Sequence, residues 1–242
     1  MTSLKNQIAV ITGASSGIGK AVALGLAAEG VRTCLLGRKL ETLEVVAKLA
    51  RKYADQVLCY QVDLTVDKDV GGIASLIQQD VGRIDMLVHS AGVISIGRLE
   101  SAPIEAFDRQ YRTNVRAPYA LTQALLPMLR ANRGQIVFIN SSAGLNASAK
   151  VGQYAATKHA LKAVADSFRH EVNAEGLRVL SIYPGRTASP MQKEVFKMEG
   201  REYRPEILLQ PKDIAAVVIN TLSLPRSAEV TDIQVRPLNK TF

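Results

Sequence analysis

Short apolar runs alternate with longer amphipathic stretches along this chain. The runs fall at 7–11, 32–36, 56–62, 86–89, 135–140 and 177–183, each of strand length. Between them, 20–29, 39–53, 67–81 and 152–174 carry apolar residues at helical spacing. In 39–53 the apolar face is Leu40, Leu43, Val46, Ala47 and Ala50, and Gly30 closes the helix before it. A long helical region begins at Pro103 and runs to about 130, and the internal Pro118 and Pro127 predict a break or kink in it. Pro211 suits the first turn of a helix reaching 222. A last strand is expected at 232–235, before a polar tail. The stretch 186–210 has weak periodicity and several charges, and reads as a lid-like insertion.

Strands alternating with helices imply parallel pairing through right-handed crossovers. The expected fold class is α/β, a doubly wound parallel sheet of about seven strands with helices on both faces. No linker, composition shift or repeat interrupts residues 1–242, so one domain is expected. Ligands of such sheets bind beyond the carboxyl ends of the strands. Gly13, Asp63, Ser90, Ser141 and Pro184 all fall where a strand finishes.

Charge and composition remove other classes. The net charge is +8 and the pI about 9.6, but the basic residues are scattered, with no run of five and no interleaved aromatics. Aromatics make up 5% and tryptophan is absent, which argues against a base-stacking platform and a specific nucleic-acid partner. No apolar run approaches the ~18–20 residues that span a bilayer. Only the short, mostly polar stretch 1–6 precedes the first apolar run, so no signal peptide is expected. Cys34 and Cys59 lie in strand-like runs and read as core residues of a reducing, cytoplasmic setting. His89, His159 and His170 lack metal-ligand spacing, and no metal is expected.

The candidate chemistry starts at Thr12-Gly13-Ala14-Ser15-Ser16-Gly17-Ile18-Gly19, between the first strand and first helix. Glycines there permit a tight turn and let backbone amides approach a pyrophosphate at the helix N-terminus. Gly37-Arg38 ends the second strand, where an acid would bind ribose hydroxyls and an arginine matches a 2′-phosphate. Tyr154 and Lys158 are four apart on one helix and share a face. Such a pair is either a solvated surface or an acid–base couple, since a nearby cation favours the phenolate. Ser141 ends the fifth strand and faces the same crevice, whereas Ser142 should point away if the alternation continues.

The order of these motifs, with Asp63-Leu64, Ala91-Gly92, Asn114 and Pro184-Gly185, resembles the short-chain dehydrogenase/reductase family over nearly the whole chain. The resemblance implies a Rossmann fold, a nicotinamide cofactor and hydride transfer between a small-molecule alcohol and a carbonyl. It implies a catalytic group of Asn114, Ser141, Tyr154 and Lys158, with Tyr154 moving the proton and Lys158 lowering its pKa and holding the ribose. Ser141 would orient the substrate oxygen, and Asn114 would position a water behind Lys158. The implied cofactor-binding set is Gly13, Ser15, Ser16, Gly17, Ile18, Gly19, Arg38, Asp63, Leu64, Ser90, Ala91, Gly92, Tyr154, Lys158, Pro184, Gly185 and Thr187. Asp63 would receive the adenine amino group. With Arg38, the expected cofactor is NADP(H) in preference to NAD(H).

Several positions depart from the family pattern. Ser16 stands where NADP-preferring members often have a second basic residue. His89-Ser90 replaces the usual Asn-Asn, with Ser90 able to make some of the missing hydrogen bonds and His89 favoured as a buried structural residue. Thr187 and Ser189 follow Pro184-Gly185, where a hydrophobic residue and a threonine are usual. Arg186, Lys150, Arg201 and Arg204 are expected around the cleft, either solvated or receiving an anionic substrate. Leu121, Leu125, Ala155 and Leu161 serve either the sheet core or the helix pairing that would make a homodimer or homotetramer. The alternative to catalysis is a non-catalytic nicotinamide-nucleotide sensor or scaffold.

Overall fold

The computed structural model describes residues 2–238. The strands are β1 (Ile8–Thr12), β2 (Arg32–Gly37), β3 (Val57–Gln61), β4 (Met86–His89), β5 (Gln135–Ile139), β6 (Arg178–Pro184) and β7 (Asp232–Val235). They form one parallel sheet in the order β3-β2-β1-β4-β5-β6-β7. The order reverses direction between β1 and β4, which opens a crevice at the strand ends on either side of that switch. The doubly wound expectation holds. The polar tail expected after β7 continues at 239–242, outside the described residues.

Alternation along each strand sorts the core into two layers. Ala9 and Ile11 of β1 point into one layer and Ile8 and Val10 into the other. The same division puts Val137 and Ile139 opposite Ile136 and Phe138 in β5. The first layer is closed by α1 (Gly17–Ala28), α2 (Leu40–Ala50) and α8 (Pro211–Leu222) through Val22, Leu26, Leu43, Val46, Ile214 and Val218. The second is closed by α3 (Asp67–Val81), α5 (Ala117–Ala131) and α6 (Gly152–Val172). Leu121, Leu125 and Leu161 are sealed in that second layer, and Ala155 is buried too. These four side chains therefore pack within the chain, since the inner faces of α5 and α6 meet the sheet.

Three local expectations change. The helix expected at 20–29 begins at Gly17, because the last turn of the glycine loop is already helical. The long region after Pro103 is α4 (Ile104–Tyr111), a π-helical turn (Arg112–Arg116) and α5. The irregularity sits before Pro118, which takes an early position in α5, while Pro127 lies inside that helix. The segment 186–210 contains α7 (Pro190–Met198), capped by the Ser189 hydroxyl accepting from the Gln192 amide at 3.1 Å. Its two ends are joined by a parallel bridge between Thr187 and Leu209. Of its charges, Arg186, Glu199 and Arg201 form an ion-pair cluster described below.

Candidate active site

The strand ends line one cleft of about 700 Å³. The glycine loop, Arg38, Asp63 and Leu64 bound one end, and Ser141, Tyr154, Lys158 and Arg186 the other. Ser90, Ala91, Gly92, Pro184, Gly185 and Thr187 line the middle.

The loop is built by close backbone approach. Gly13 has φ +66°, and a Cβ there would stand 2.8 Å from the Ala91 backbone. A Cβ on Gly19 would stand 2.4 Å from the Gly13 carbonyl oxygen, so only glycine lets the helix start so near the strand. The Thr12 hydroxyl, almost fully buried, accepts from the amides of Ser90 at 3.0 Å and Ala91 at 3.1 Å. It thereby pins the loop after β4 to the end of β1. The loop and the start of α1 present Gly13, Ser15, Ser16, Gly17 and Ile18 to the cleft, while Gly19 packs behind them.

Arg38 is exposed at the cleft wall beyond β2 and makes no ion pair among the described residues. Asp63 turns back on its own chain: its Oδ1 accepts from the Thr65 amide at 3.0 Å and the Thr65 hydroxyl at 2.7 Å. Those bonds hold its carboxyl below the usual range. Asp63 thus caps its turn with one oxygen while lining the cleft. A nucleotide fits this donor set: flexible glycine backbone at a helix N-terminus, a guanidinium at one end and hydroxyl groups along the floor.

At the other end, the tip of β5 meets α6. The Lys158 ammonium donates to the Ile139 carbonyl at 3.1 Å and lies 5.8 Å from the centroid of the Tyr154 ring. Burial pulls its pKa down to about 8. Burial pushes the Tyr154 phenol up, and a hydrogen bond with Ser141 pulls against it. The downward pull on Tyr154 expected from Lys158 is thus supplied here by Ser141, because the lysine is engaged with Ile139. The Ser141 hydroxyl also accepts from the Ala143 amide at 3.1 Å. Ser142 does not turn away from the cleft as alternation would require: β5 stops at Ile139, and Ser142, which starts a 3-10 turn (Ser142–Gly144) with an exposed side chain, lines the cleft beside Ser141.

Asn114 lies in the π turn, a distortion that recurs at functional sites. Its side chain is buried and committed to protein partners. Oδ1 accepts from the Val93 amide at 2.9 Å, and Nδ2 donates to the Val93 carbonyl and to the Thr157 hydroxyl at 3.1 Å. Thr157 in turn donates to the Tyr154 carbonyl at 2.8 Å. Asn114 therefore couples the loop after β4 to α6, with no side-chain bond to Lys158 among the described residues.

His89 is the buried structural residue anticipated. Its Nε2 lies 2.7 Å from the Thr122 hydroxyl, its ring stacks on Phe138 at 4.9 Å, and burial lowers its pKa to about 3. Of the four basic residues expected around the cleft, Arg186 alone lines it. Arg186 pairs bidentately with Glu199 at 2.8 and 2.6 Å, and its guanidinium lies over Phe196, as does that of Arg201. Arg204 pairs with Glu206 instead. The Thr187–Leu209 bridge uses the Arg186 carbonyl and the Ala188 amide, which leaves the Thr187 amide outside it.

Asn140 and Glu199 escaped sequence reasoning, and so did the role of Thr12, which entered only as the first residue of the glycine-loop motif. Thr12 reaches residues 78 and 79 positions away. The Asn140 Nδ2 donates to the Lys158 carbonyl at 3.1 Å. No local pattern announces such pairings. Among the described residues, no group of three or more His, Cys, Asp or Glu is placed to hold a metal ion, and no helix is long and apolar enough to cross a membrane.

The family model for short chain dehydrogenases matches residues 7–200. An uncharacterized oxidoreductase of Staphylococcus saprophyticus is 32% identical over 240 residues, covering 98% of this chain and all of that protein. A metagenomic short-chain oxidoreductase solved in complex with NADP is 30% identical, with a TM-score of 0.85 over 99% of this chain and all of that one. An alcohol dehydrogenase from the archaeon Thermococcus sibiricus, complexed with 5-hydroxy-NADP, is 26% identical, with a TM-score of 0.87 over 97% of both chains.

Proposed function

The chain belongs to the short-chain dehydrogenase family, and on that premise we propose that it transfers a hydride between NADP(H) and the carbonyl or secondary alcohol carbon of a small molecule. The observation that carries this reading is the meeting of Ser141, Tyr154 and Lys158 at one end of a cleft whose other end is the glycine loop and Arg38. The nicotinamide, when bound, supplies or takes up the hydride. Everything else falls to side chains. Tyr154 gives its phenolic proton to the carbonyl oxygen in reduction and takes it back in oxidation. Ser141, which stands beside that phenol, orients the substrate oxygen. Lys158 holds ribose hydroxyls and favours the phenolate when its ammonium leaves Ile139. Asn114, through Thr157, fixes the start of α6 rather than touching the reacting atoms.

The cofactor choice rests on Arg38, whose planar fork matches a 2′-phosphate. The glycine loop would hold the pyrophosphate, Asp63 and Leu64 would receive the adenine, and the Thr187 amide would be available to the carboxamide. One solved relative is complexed with 5-hydroxy-NADP and another with NADP, which supports this choice. The same reading takes residues 1–242 as one nucleotide-binding unit, with 186–210 covering the substrate end. It places the protein in the cytoplasm, where the free thiols of Cys34 and Cys59 persist. It pairs the outer faces of α5 and α6 between copies in a dimer or tetramer.

The experiment is a panel of carbonyls and alcohols followed at the nicotinamide absorbance with each cofactor. Tyr154→Phe is expected to lower kcat by at least ~100-fold, within the range usual for a positioned acid. A Phe variant as fast as the wild type would refute the proton role.

A further inference from the structure

Three consecutive residues at the tip of β5 each hold a different part of α6. The Ile139 carbonyl accepts from the Lys158 ammonium, the Asn140 Nδ2 donates to the Lys158 main-chain carbonyl, and Ser141 stands beside the Tyr154 phenol and pulls its pKa down against burial. The Asn140 backbone is itself anchored, its amide donating to the Ile182 carbonyl of β6 at 2.8 Å.

The Asn140 bond is not needed to satisfy Lys158. That carbonyl lies mid-helix, where the amide four residues on is its ordinary partner. Nor is Asn140 a comfortable choice for packing. Its Oδ1 is buried without a hydrogen-bond partner, at a residue only 4% exposed that borders the cleft. A buried orphan acceptor costs stability, and an apolar side chain of that shape would avoid it. Gly144 shows how tight the contact is. A Cβ there would stand 2.6 Å from the Asn140 Oδ1 and 2.9 Å from the Lys158 carbonyl oxygen. The 3-10 turn Ser142–Gly144 is thus pressed onto α6 at the level of Lys158.

We propose that Asn140 is a positioning residue for Lys158: by clamping the helix carbonyl of Lys158 against β5, with Gly144 leaving room for the clamp, it sets the height at which the ammonium and the Tyr154 phenol meet Ser141. The inference rests on the acid–base reading of that group and names a residue outside it.

The clamp also keeps Lys158 dry, and that gives a readout a structural role would not move. The groups facing Lys158 are few. On its own helix they are Tyr154 and the uncharged Thr157, and from β5 the Ile139 carbonyl. The 142–144 turn and the end of β6 present no charge, and Arg186 beyond them is paired with Glu199. Arg112 and Arg116 of the π turn are exposed, with Arg116 paired to Asp67. Burial is the cause of the depressed Lys158 value, so loosening the contact should raise it.

The test uses the full chain labelled at lysine Cε, with Lys158 assigned by its absence in Lys158→Met. Carbon NMR follows the titration of the wild type, Asn140→Leu and Gly144→Ala. The expected result is a Lys158 midpoint near 8 in the wild type, raised by about one unit or more in both variants as water reaches the ammonium. The matching limb of the kcat–pH profile should move the same way, with kcat falling about tenfold or more. Should Asn140→Leu fail to fold, Asn140→Ser is read in the same titration. Variants that lose stability while the Lys158 midpoint stays put would overturn the proposal. The NMR arm does not require turnover. A chain that reduces no carbonyl would therefore sink the reading of the reaction, while the titration still decides on Asn140.

Discussion

Lys158 donates its ammonium to the carbonyl of Ile139 at 3.1 Å, and this contact is sealed from water. A buried cation is costly, and its pKa of about 8 measures the cost. The folded value lies below the unfolded 10.5, so between those pH values the unfolded chain binds the extra proton. Stability therefore rises with pH across that window, and the full penalty, roughly 3 kcal/mol, applies below pH 8. Lys158→Met is expected to melt higher than the wild type at pH 7, by about 2 kcal/mol after the unpaired Ile139 carbonyl is counted. That advantage should shrink by more than half at pH 9.5. Denaturant titrations of both proteins at the two pH values check it, and a constant difference would show that Lys158 is not strained by burial.

Arg38 decides between cofactors by charge and by geometry. Arg38→Asp removes a planar donor and adds a carboxylate that repels a 2′-phosphate. Charge-assisted hydrogen bonds of this kind contribute about 1.5–3 kcal/mol. The ratio of kcat/KM for NADPH over NADH is expected to fall by about 100-fold or more, which steady-state kinetics with each cofactor will measure. Because Ser16 supplies no second cation, little should remain of the preference.

His89 gives an acid limb to stability rather than to activity. Its folded pKa is lowered to about 3, against 6.5 in the unfolded chain. Between those values the unfolded chain binds the extra proton, so this stability is intact above pH 6.5 and is lost as pH falls below it. The slope approaches 1.4 kcal/mol per pH unit, or about 2–3 kcal/mol between pH 7 and 4.5. His89→Asn cannot titrate and should show that much less acid destabilisation, whatever it loses at neutral pH by giving up the stack on Phe138. Equal acid slopes in the two proteins would contradict the assignment.

These predictions separate what the sequence could disclose from what it could not. The glycine loop, Arg38 and the Tyr154–Lys158 spacing were legible because each is local: a turn needs glycine, and a helix puts i and i+4 on one face. The order of strands and helices was legible for the same reason, with periodicity marking each element. Leu121, Leu125 and Leu161 could not be assigned from periodicity, which finds an apolar face without saying what covers it; the sheet does. Prolines drew attention to 118 and 127, yet the helix is irregular at Asn114, where long-range bonds to Val93 and Thr157 outweigh local preference. The helix α7 was hidden because only Val195 and Phe196 of its nine residues are buried, while its charges Lys193, Glu194 and Lys197 face solvent, so too few apolar positions recur to mark a period.

Thr12 offers the sharpest test of a long-range contact that no motif announces. Its hydroxyl accepts two amides from the loop after β4, and the residue is 1% exposed. Thr12→Val keeps the shape and the branched Cβ that a strand prefers, so packing should survive. What it removes is the acceptor, leaving the amides of Ser90 and Ala91 unpaired. Each unsatisfied buried donor costs about 1–3 kcal/mol, so a loss of about 2–4 kcal/mol is expected on denaturant unfolding. Thr12→Ser keeps the hydroxyl and should recover most of it. The same amides belong to residues that line the cleft beside the glycine loop, and the Gly13 backbone lies within contact of Ala91. Nucleotide affinity should therefore fall with stability in Thr12→Val and return in Thr12→Ser, measured by quenching or calorimetry with NADPH. A Val variant that binds NADPH as tightly as the wild type would mean that the loop holds its shape without the clamp.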